Sequence, residues 1–160
     1  MRPRAGDFVY SVEEIETILG DIEAARDLGV DGIVTGALTA DGRIAVAEMR
    51  AFVEAAGGLA VTFHRAFDMV ADPSQALEEL VGAGVRRILT SGGKSTALDG
   101  ADAIAKLVDQ ARDRVTIVAG GGIRESNVRE VIERTRVREV HSRFIDETGM
   151  RRLVDRVGTN

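Results

Sequence analysis

The sequence predicts an α/β protein of the (β/α)8 TIM-barrel type, shortened here to about six βα units. Short apolar runs recur at similar intervals, near the roughly 30 residues per unit of an eightfold barrel. Helical patterns fill the gaps, and two of them end in the same order of glycine stop, short turn and strand. The apolar runs are continuous rather than alternating, which is typical of parallel strands buried on both faces. A doubly wound parallel sheet is the alternative architecture.

Local signals place the elements along the chain. The first helix begins at a capping box of Ser11 and Glu14, whose groups satisfy each other's backbone donors, and it ends at Gly29. Asp72 and Pro73 open the helix that follows the second strand, because proline is tolerated in a first helical turn, and this helix ends near 82–84. The other helices are expected at 46–56, 100–111, 125–133 and 147–157. The strands are expected at 32–36, 59–64, 87–91, 116–120 and 139–142.

Composition and charge limit the classes of function. The 160 residues suffice for a single domain, expected to span residues 1–160, and 44% of them are hydrophobic. The net charge of −5 argues against binding to nucleic acid or to an anionic membrane surface. No apolar stretch approaches the roughly 20 residues that span a bilayer, and the first residues lack the pattern of a signal peptide. We therefore expect a soluble, cytoplasmic protein.

Three candidate catalytic residues follow the second strand, at the end where α/β barrels keep their chemistry. His64 is interpreted as a general base or a metal ligand, with a buried structural histidine as the alternative. Asp68 either orients His64, binds substrate, or caps the helix at Pro73. Arg65 follows His64 directly, so its side chain points the other way unless the turn begins there.

Polar residues and glycines at the other strand ends indicate an anion site. Glycine lets the backbone approach an anion closely, and barrels bind phosphate at their last two βα loops. The alternative is that these glycines only make tight turns, and the Gly92-Gly93-Lys94 turn lacks the frame of a P-loop. The candidate substrate- or anion-binding residues are Arg2, Arg4, Thr90, Ser91, Gly92, Gly121, Gly122, His141 and Ser142.

A metal site is not predicted, and no cofactor is identified. The chain has no cysteine, which excludes disulfides, thiolate zinc sites and cysteine nucleophiles. Cu(I) prefers thiolate and thioether ligands, and Met69 is the one soft ligand near His64 in the sequence.

Several of these segments together resemble the CutC family. They are residues 2–11 (RPRAGDFVYS), 59–68 (LAVTFHRAFD), 87–95 (RILTSGGKS), 119–124 (AGGGIR) and 139–142 (EVHS). The resemblance implies a (β/α)8 barrel named for copper homeostasis and for copper binding. The proposed Cu(I) binding of that family relies on cysteines, which this chain lacks. The family motifs retain the following residues of the barrel mouth: Arg4, His64, Arg65, Asp68, Ser91, Gly122 and His141.

The resemblance also implies two further βα units before the strand at Arg2. Six strands cannot close an eight-stranded barrel, so open edges are expected. We expect a shortened barrel that forms a homo-oligomer, a dimer in the first instance, exchanges elements, or needs a partner fragment. By resemblance the protein serves copper homeostasis and carries a small-molecule or anion site at its mouth. The alternatives are an enzyme acting on a small phosphorylated metabolite and a non-catalytic shortened barrel.

Overall fold

A computed structural model describes residues 1–143 and 147–157, which form a parallel sheet with helices between the strands. The strands are β1 (Gly32–Thr35), β2 (Ala60–Phe63), β3 (Arg87–Thr90), β4 (Thr116–Gly120) and β5 (Glu139–His141). The helices are α1 (Val12–Asp27), α2 (Val46–Ala56), α3 (Pro73–Gly82), α4 (Ala101–Ala111), α5 (Val128–Thr135) and α6 (Glu147–Val157). Each strand pairs in parallel with the next one along the chain. The α/β prediction is confirmed, and this sequential order is that of a barrel rather than of a doubly wound sheet, in which the order reverses.

The helix signals act as the sequence predicts. Ser11 accepts a hydrogen bond from the Glu14 amide, and the Glu14 side chain accepts one from the Ser11 amide, which completes the capping box. The Asp72 carboxylate accepts from the Gln75 amide and begins α3, with Pro73 in its first turn. The prediction that Asp68 caps this helix is therefore wrong, because Asp72 does so.

Most bounds agree with the prediction to within a residue or two, and two features differ more clearly. Helix α5 begins at Val128 rather than near 125, because the Asn127 side chain accepts from the Arg124 amide and donates to the Gly122 carbonyl. These bonds hold the preceding residues in a turn. A short 3₁₀ helix, Arg65–Met69, follows β2 and was not predicted.

The segment at Arg2 does not form a strand in the described residues, so the described sheet has five strands rather than six. It lies beside β1 instead: the Met1 amine donates to the Val34 carbonyl, and Thr35 Oγ1 donates to the Met1 carbonyl. Pro3 has no amide hydrogen for a ladder. The Arg4 side chain donates to carbonyls of its own segment, which favours a turn.

The helices cover one face of the sheet, as right-handed crossovers between sequential parallel strands require. Val61, Phe63 and Ile88 point into this layer and are at most 1% exposed. Alternate residues point to the opposite face, where Val34 is 46% exposed and Arg87 pairs with Glu139 at 2.8 Å. Among the described residues, no helix is long and apolar enough to cross a membrane.

Candidate functional site

The carboxyl ends of the strands gather the predicted polar residues at one edge of the sheet, and Asp68 is the most densely bonded of them. Its Oδ1 accepts from the hydroxyl of Thr90 and from the amides of Ser91 and Gly93, the latter two at 3.0 and 3.1 Å. Its Oδ2 accepts from Arg65 Nε at 2.7 Å and from Ser91 Oγ at 3.0 Å. Both oxygens are thus occupied by groups of the protein. Asp68 therefore positions the loop that follows β3.

The charge of Asp68 is stabilised in this position. Burial alone would raise the pKa of the carboxyl group, but the hydrogen bonds from Thr90, Arg65, Gly93 and Ser91 outweigh that effect and lower it. Among the described residues, no hydrogen bond joins Asp68 to His64. The structure therefore gives no direct contact through which Asp68 would orient His64.

Arg65 crosses from the end of β2 to the loops after β3 and β4. Its Nη2 donates to Ser91 Oγ and, at 3.4 Å, to the Lys94 carbonyl, while its Nε binds Asp68. The guanidinium also lies against Gly121, where a β-carbon would come within 3.3 Å of Nη1. The turn begins at Arg65, which is why its side chain stays at the rim although His64 precedes it. The side chain is 42% exposed, so its free edge faces solvent.

The two predicted glycine turns serve different purposes. Gly92 has a φ of 70°, and a β-carbon there would lie 2.4 Å from the Gly100 carbonyl oxygen. Glycine is needed at Gly92 because two backbone segments touch, which is the structural alternative to anion binding. Gly121 and Gly122 have φ angles of 109° and 69°, and they face side chains rather than backbone: Arg65 and Ser91 at Gly121, and Thr96 at Gly122. This second turn is the more open to a ligand.

His64 lies partly buried at the end of β2, on the face of the sheet opposite Phe63. Its ring packs on Phe8 at 4.7 Å and Phe63 at 5.7 Å between centroids. Nδ1 accepts from the Ala66 amide at 3.3 Å, which places the proton of the neutral ring on Nε2. Nε2 is buried and has no hydrogen-bond partner among the described residues.

The electrostatics keep His64 neutral. Burial lowers the pKa of its imidazole to about 4, and the positive charge of Arg2 contributes in the same direction. At neutral pH the side chain therefore presents an unpaired N–H donor at Nε2, which suits hydrogen bonding to a ligand oxygen. A general base at Nε2 would require the other tautomer, and that tautomer would give up the bond from Ala66.

The two arginines at the start of the chain behave differently. Arg4 is engaged by Glu14 at 2.6 Å and Asp7 at 2.9 Å, and these carboxylates neutralise it. Arg2 donates to a backbone carbonyl and stacks over the Phe8 ring at 4.6 Å. It lies near Tyr10, whose hydroxyl group is buried and interacts with the Arg2 charge. Arg2 thus lies close to His64 and Phe8, which we call the His64 cluster together with Arg2 and Tyr10. The Arg4 side chain instead stabilises the N-terminal turn.

The end of β5 joins the rim beside the second glycine turn. His141 pairs with Gly120 across the ladder and is exposed. Ser142 Oγ donates to the Ile123 carbonyl at 2.8 Å, which fastens the end of β5 to the loop after β4. Ser142 is therefore committed to a structural bond, while His141 remains accessible.

The described residues offer few ligands for copper. No group of three or more His, Cys, Asp or Glu side chains gathers anywhere in residues 1–143 and 147–157. Cysteine is absent from the whole sequence. Nδ1 of His64 is occupied by Ala66, and Met69 is 60% exposed. The side chains do not fit the soft, multi-ligand site that Cu(I) prefers.

Sequence reasoning missed two members of the His64 cluster. Phe8 packs against His64 and Arg2, and Tyr10 lies beside Arg2, but neither carries a motif of its own besides lying in the N-terminal signature. Their alternation with Val9, which brings both rings to one side of an extended segment, was the available signal. The Lys94 backbone carbonyl, which accepts from Arg65 and Ser91, had no signal in the sequence.

Comparison with known proteins identifies relatives along most of the chain. The family model described as the CutC family matches residues 1–146. A protein of Glaesserella parasuis named CutC is 49% identical over 141 residues, covering 88% of this chain and 58% of the relative. A protein of Xylella fastidiosa with the same name is 48% identical over 153 residues, covering 96% of this chain and 57% of the relative. The chain thus spans a little over half the length of these curated relatives.

Solved structures agree with this match. The crystal structure of a Streptococcus agalactiae protein, assigned to copper homeostasis as CutC, superposes with a TM-score of 0.84 at 33% identity. The match covers 88% of this chain and 69% of that one. A structure described as native KDPGal superposes with a TM-score of 0.57 at 15% identity, covering 87% of this chain and 60% of that one. At such low identity the second likeness concerns the fold alone.

Proposed function

The chain belongs to the CutC family, and on that premise we propose that the carboxyl-end rim of its sheet binds a small, phosphate-like anion. The anion would lie at the solvent-facing edge of the Arg65 guanidinium, next to the turn at Gly121 and Gly122. The observation that carries the proposal is the contact of Arg65 with Gly121, where a β-carbon would stand 3.3 Å from Nη1, so that the cation and the glycine turn border the same part of the rim. Arginine and a glycine turn side by side are a common way of holding phosphate oxygens.

The way in which Arg65 is held supports this placement. Asp68 and Ser91 fix Nε and Nη2, so the guanidinium loses little further conformational freedom when a ligand binds. Nη1 has no hydrogen-bond acceptor among the described residues, so it can donate to a bound ligand. The Asp68 charge reduces the attraction for anions, so we expect modest affinity for inorganic phosphate and a larger contribution from the rest of a ligand.

His64 is assigned to the body of that ligand. Its Nε2 hydrogen is buried without a protein partner, and leaving such a donor unpaired costs about 1–3 kcal/mol. A ligand hydroxyl or carbonyl oxygen at this position would recover that energy. Arg2, which stacks on the Phe8 ring beside His64, adds a second cation, and the Tyr10 hydroxyl lies close to Arg2.

The test is a calorimetric titration of the full chain with phosphate and with a panel of sugar phosphates. Arg65→Gln should abolish binding of both, and His64→Ala should weaken the sugar phosphates more than phosphate. Arg43→Gln is the matched control, because Arg43 is an exposed arginine that pairs with a neighbouring aspartate away from this rim. If Arg65→Gln and Arg43→Gln bind alike, the proposed site is wrong.

An enzyme acting on a phosphorylated metabolite is the second candidate, favoured by the unpaired Nε2 hydrogen of His64. In the tautomer described, His64 would donate a proton or polarise a carbonyl group rather than act first as a base. Turnover of a sugar phosphate that is lost in His64→Gln, with phosphate binding retained, would establish this role. Equal turnover by the variant would remove His64 from the chemistry.

A role in copper homeostasis is suggested for this chain only by the description of a relative. The ligand set described above does not favour a Cu(I) site within the chain, so we assign no copper chemistry to these residues. Anaerobic titration with Cu(I) against a chromophoric chelator tests this directly. Stoichiometric retention of copper that is lost in His64→Ala or Met69→Ala would restore copper binding as the function.

We further propose that the protein forms a homodimer. β1 and β5 are the end strands of the described sheet, and the Met1 segment bonds only to Val34 and Thr35 of β1, so unpaired strand edges favour pairing with another chain. Val34, on the open face of the sheet, is 46% exposed and would be available to the same partner. Light scattering tests this, and a monomer at micromolar concentration would contradict it. A cytoplasmic location stays a prediction from composition.

A further inference from the structure

A cavity of about 240 Å³ lies between α3 and α4, on the outer side of the loop that follows β3. Phe67 and Leu107 form its floor and are at most 6% exposed, while Val70 and Pro73 form one wall. It is separate from the rim site: Arg65, His64 and Gly121 do not line it. Asp68 and Gly93 form the wall between the two.

The cavity exists because small residues meet where the two helices separate. Ala103 on α4 and the glycines of the Gly92–Gly93 turn contribute almost no side-chain volume. The helices are held at this separation by two lining residues: Ser74 Oγ donates to Gln110 Oε1 and Gln110 Nε2 donates to the Ser74 carbonyl, each at 2.9 Å. These bonds fix the opening rather than let the helices collapse together.

The chemistry of the lining selects an amphipathic ligand. The floor is apolar, and a cavity of roughly 150 Å³ already accommodates benzene, so an alkyl chain of several carbons fits here. The exposed Lys106 stands at the rim and makes no ion pair or hydrogen bond with residues 1–143 or 147–157. The Asp68 carboxylate in the wall would repel a buried anion, and its oxygens are already occupied.

We propose that this cavity binds a small carboxylate with an alkyl tail, the tail on Phe67 and Leu107 and the carboxylate at Lys106. The orientation follows from the charges: exposed Lys106 supplies the cation at the rim, and Asp68, the one carboxylate among the described lining residues, lies in the wall toward the β3 loop. This site is independent of the anion site at the rim. It touches the same Gly92–Gly93 turn, so its occupant borders the loop that Asp68 and Arg65 hold.

Calorimetric titration of the full chain with butanoate, hexanoate and octanoate tests the site, with octan-1-ol as the uncharged comparison. Burial of each added methylene group should raise the affinity about fourfold until the cavity is full. Ala103→Phe should abolish binding by filling the cavity from an exposed position, and Ala103→Leu should reduce it, which guards against misfolding of the larger variant.

The two lysines of the chain distinguish this site from the rim. Lys106→Gln should lower the affinity for octanoate by up to about fivefold and leave that for octan-1-ol unchanged, since an exposed ion pair contributes little more. Lys94→Gln, in the rim loop, should leave octanoate binding unchanged. Octanoate affinity that is unchanged in both Ala103 variants, or that responds to Lys94→Gln and not to Lys106→Gln, would overturn the proposal, as would no binding of octanoate at all.

Discussion

Replacing Asp68 with asparagine tests the central positioning group of the rim. Asparagine keeps the size and one carbonyl oxygen, which can still accept from Thr90, Ser91 and Gly93. The other oxygen becomes an NH₂ group that faces Arg65 Nε, so the ion pair becomes a contact between two donors. Arg65 should then leave its place beside Gly121.

The size of the effect follows from these bonds. A hydrogen bond to a charged group contributes about 1.5–3 kcal/mol, and the Asp68 side chain is only 10% exposed, so water replaces little of what is lost. The ion pair disappears outright, and the three remaining bonds become neutral and weaken. Because Arg65 is 42% exposed and can be rehydrated, the full cost of breaking a buried pair does not apply. We expect Asp68→Asn to lower the free energy of unfolding by about 2–4 kcal/mol.

Urea unfolding at pH 7, followed by far-ultraviolet circular dichroism, measures this difference. Asp72→Asn is the matched control: Asp72 caps α3, and asparagine caps a helix about as well as aspartate, so the change should stay within about 0.5 kcal/mol. Since the pKa of Asp68 is lowered in the folded protein, its contribution is present above its ordinary pKa and is lost on acidification. The parent should therefore lose its advantage over Asp68→Asn in acid. A loss below about 1 kcal/mol at pH 7, or one equal to that of the control, would refute the positioning role.

Two further predictions follow from the same rim. Because burial lowers the pKa of His64 to about 4, the unfolded chain binds a proton between pH 6.5 and 4 that the folded chain does not, so stability falls as the pH falls through this window. The free energy of unfolding attributable to His64 should fall by about 2 kcal/mol between pH 7 and pH 5, and this fall should be absent in His64→Gln. Urea unfolding at the two pH values measures the difference. An equal fall in the variant would contradict the assignment to His64. Gly121→Ala should cost about 1–3 kcal/mol, because alanine is strained at a φ of 109° and displaces Arg65, and it should also weaken phosphate binding in the calorimeter. Unchanged phosphate binding would separate Gly121 from the anion site.

The sequence by itself determined the order, type and approximate bounds of the elements. Continuous apolar runs such as β4 have few alternatives to a buried parallel strand, and the caps at Ser11 and Asp72 are local hydrogen bonds that need no tertiary context. Two predictions failed for different reasons. Local bonds of Asn127 delay the start of α5, whereas the segment at Arg2, for which the family resemblance implied a strand, lies beside β1 through longer-range bonds to Val34 and Thr35.

For the candidate site, too, the sequence predicted the residues but not their contacts. The sequence identified His64, Arg65 and Asp68 because residue type and position at a strand end are local properties. It could not determine their partners, because Thr90, Ser91 and Gly121 reach them only through the pairing of β2, β3 and β4.

Only the tertiary structure decided which of these groups are free to meet a ligand. A side chain can form only a limited number of hydrogen bonds, and residues distant in sequence use many of them. Thr90 and Ser91 donate to Asp68, and Arg4 donates to Glu14. The Ala66 amide fixes the tautomer of His64, and burial fixes its charge. The chain specifies which chemical groups stand at the rim; packing specifies which of their donors remain unpaired, because that depends on neighbours that only the folded sheet brings together.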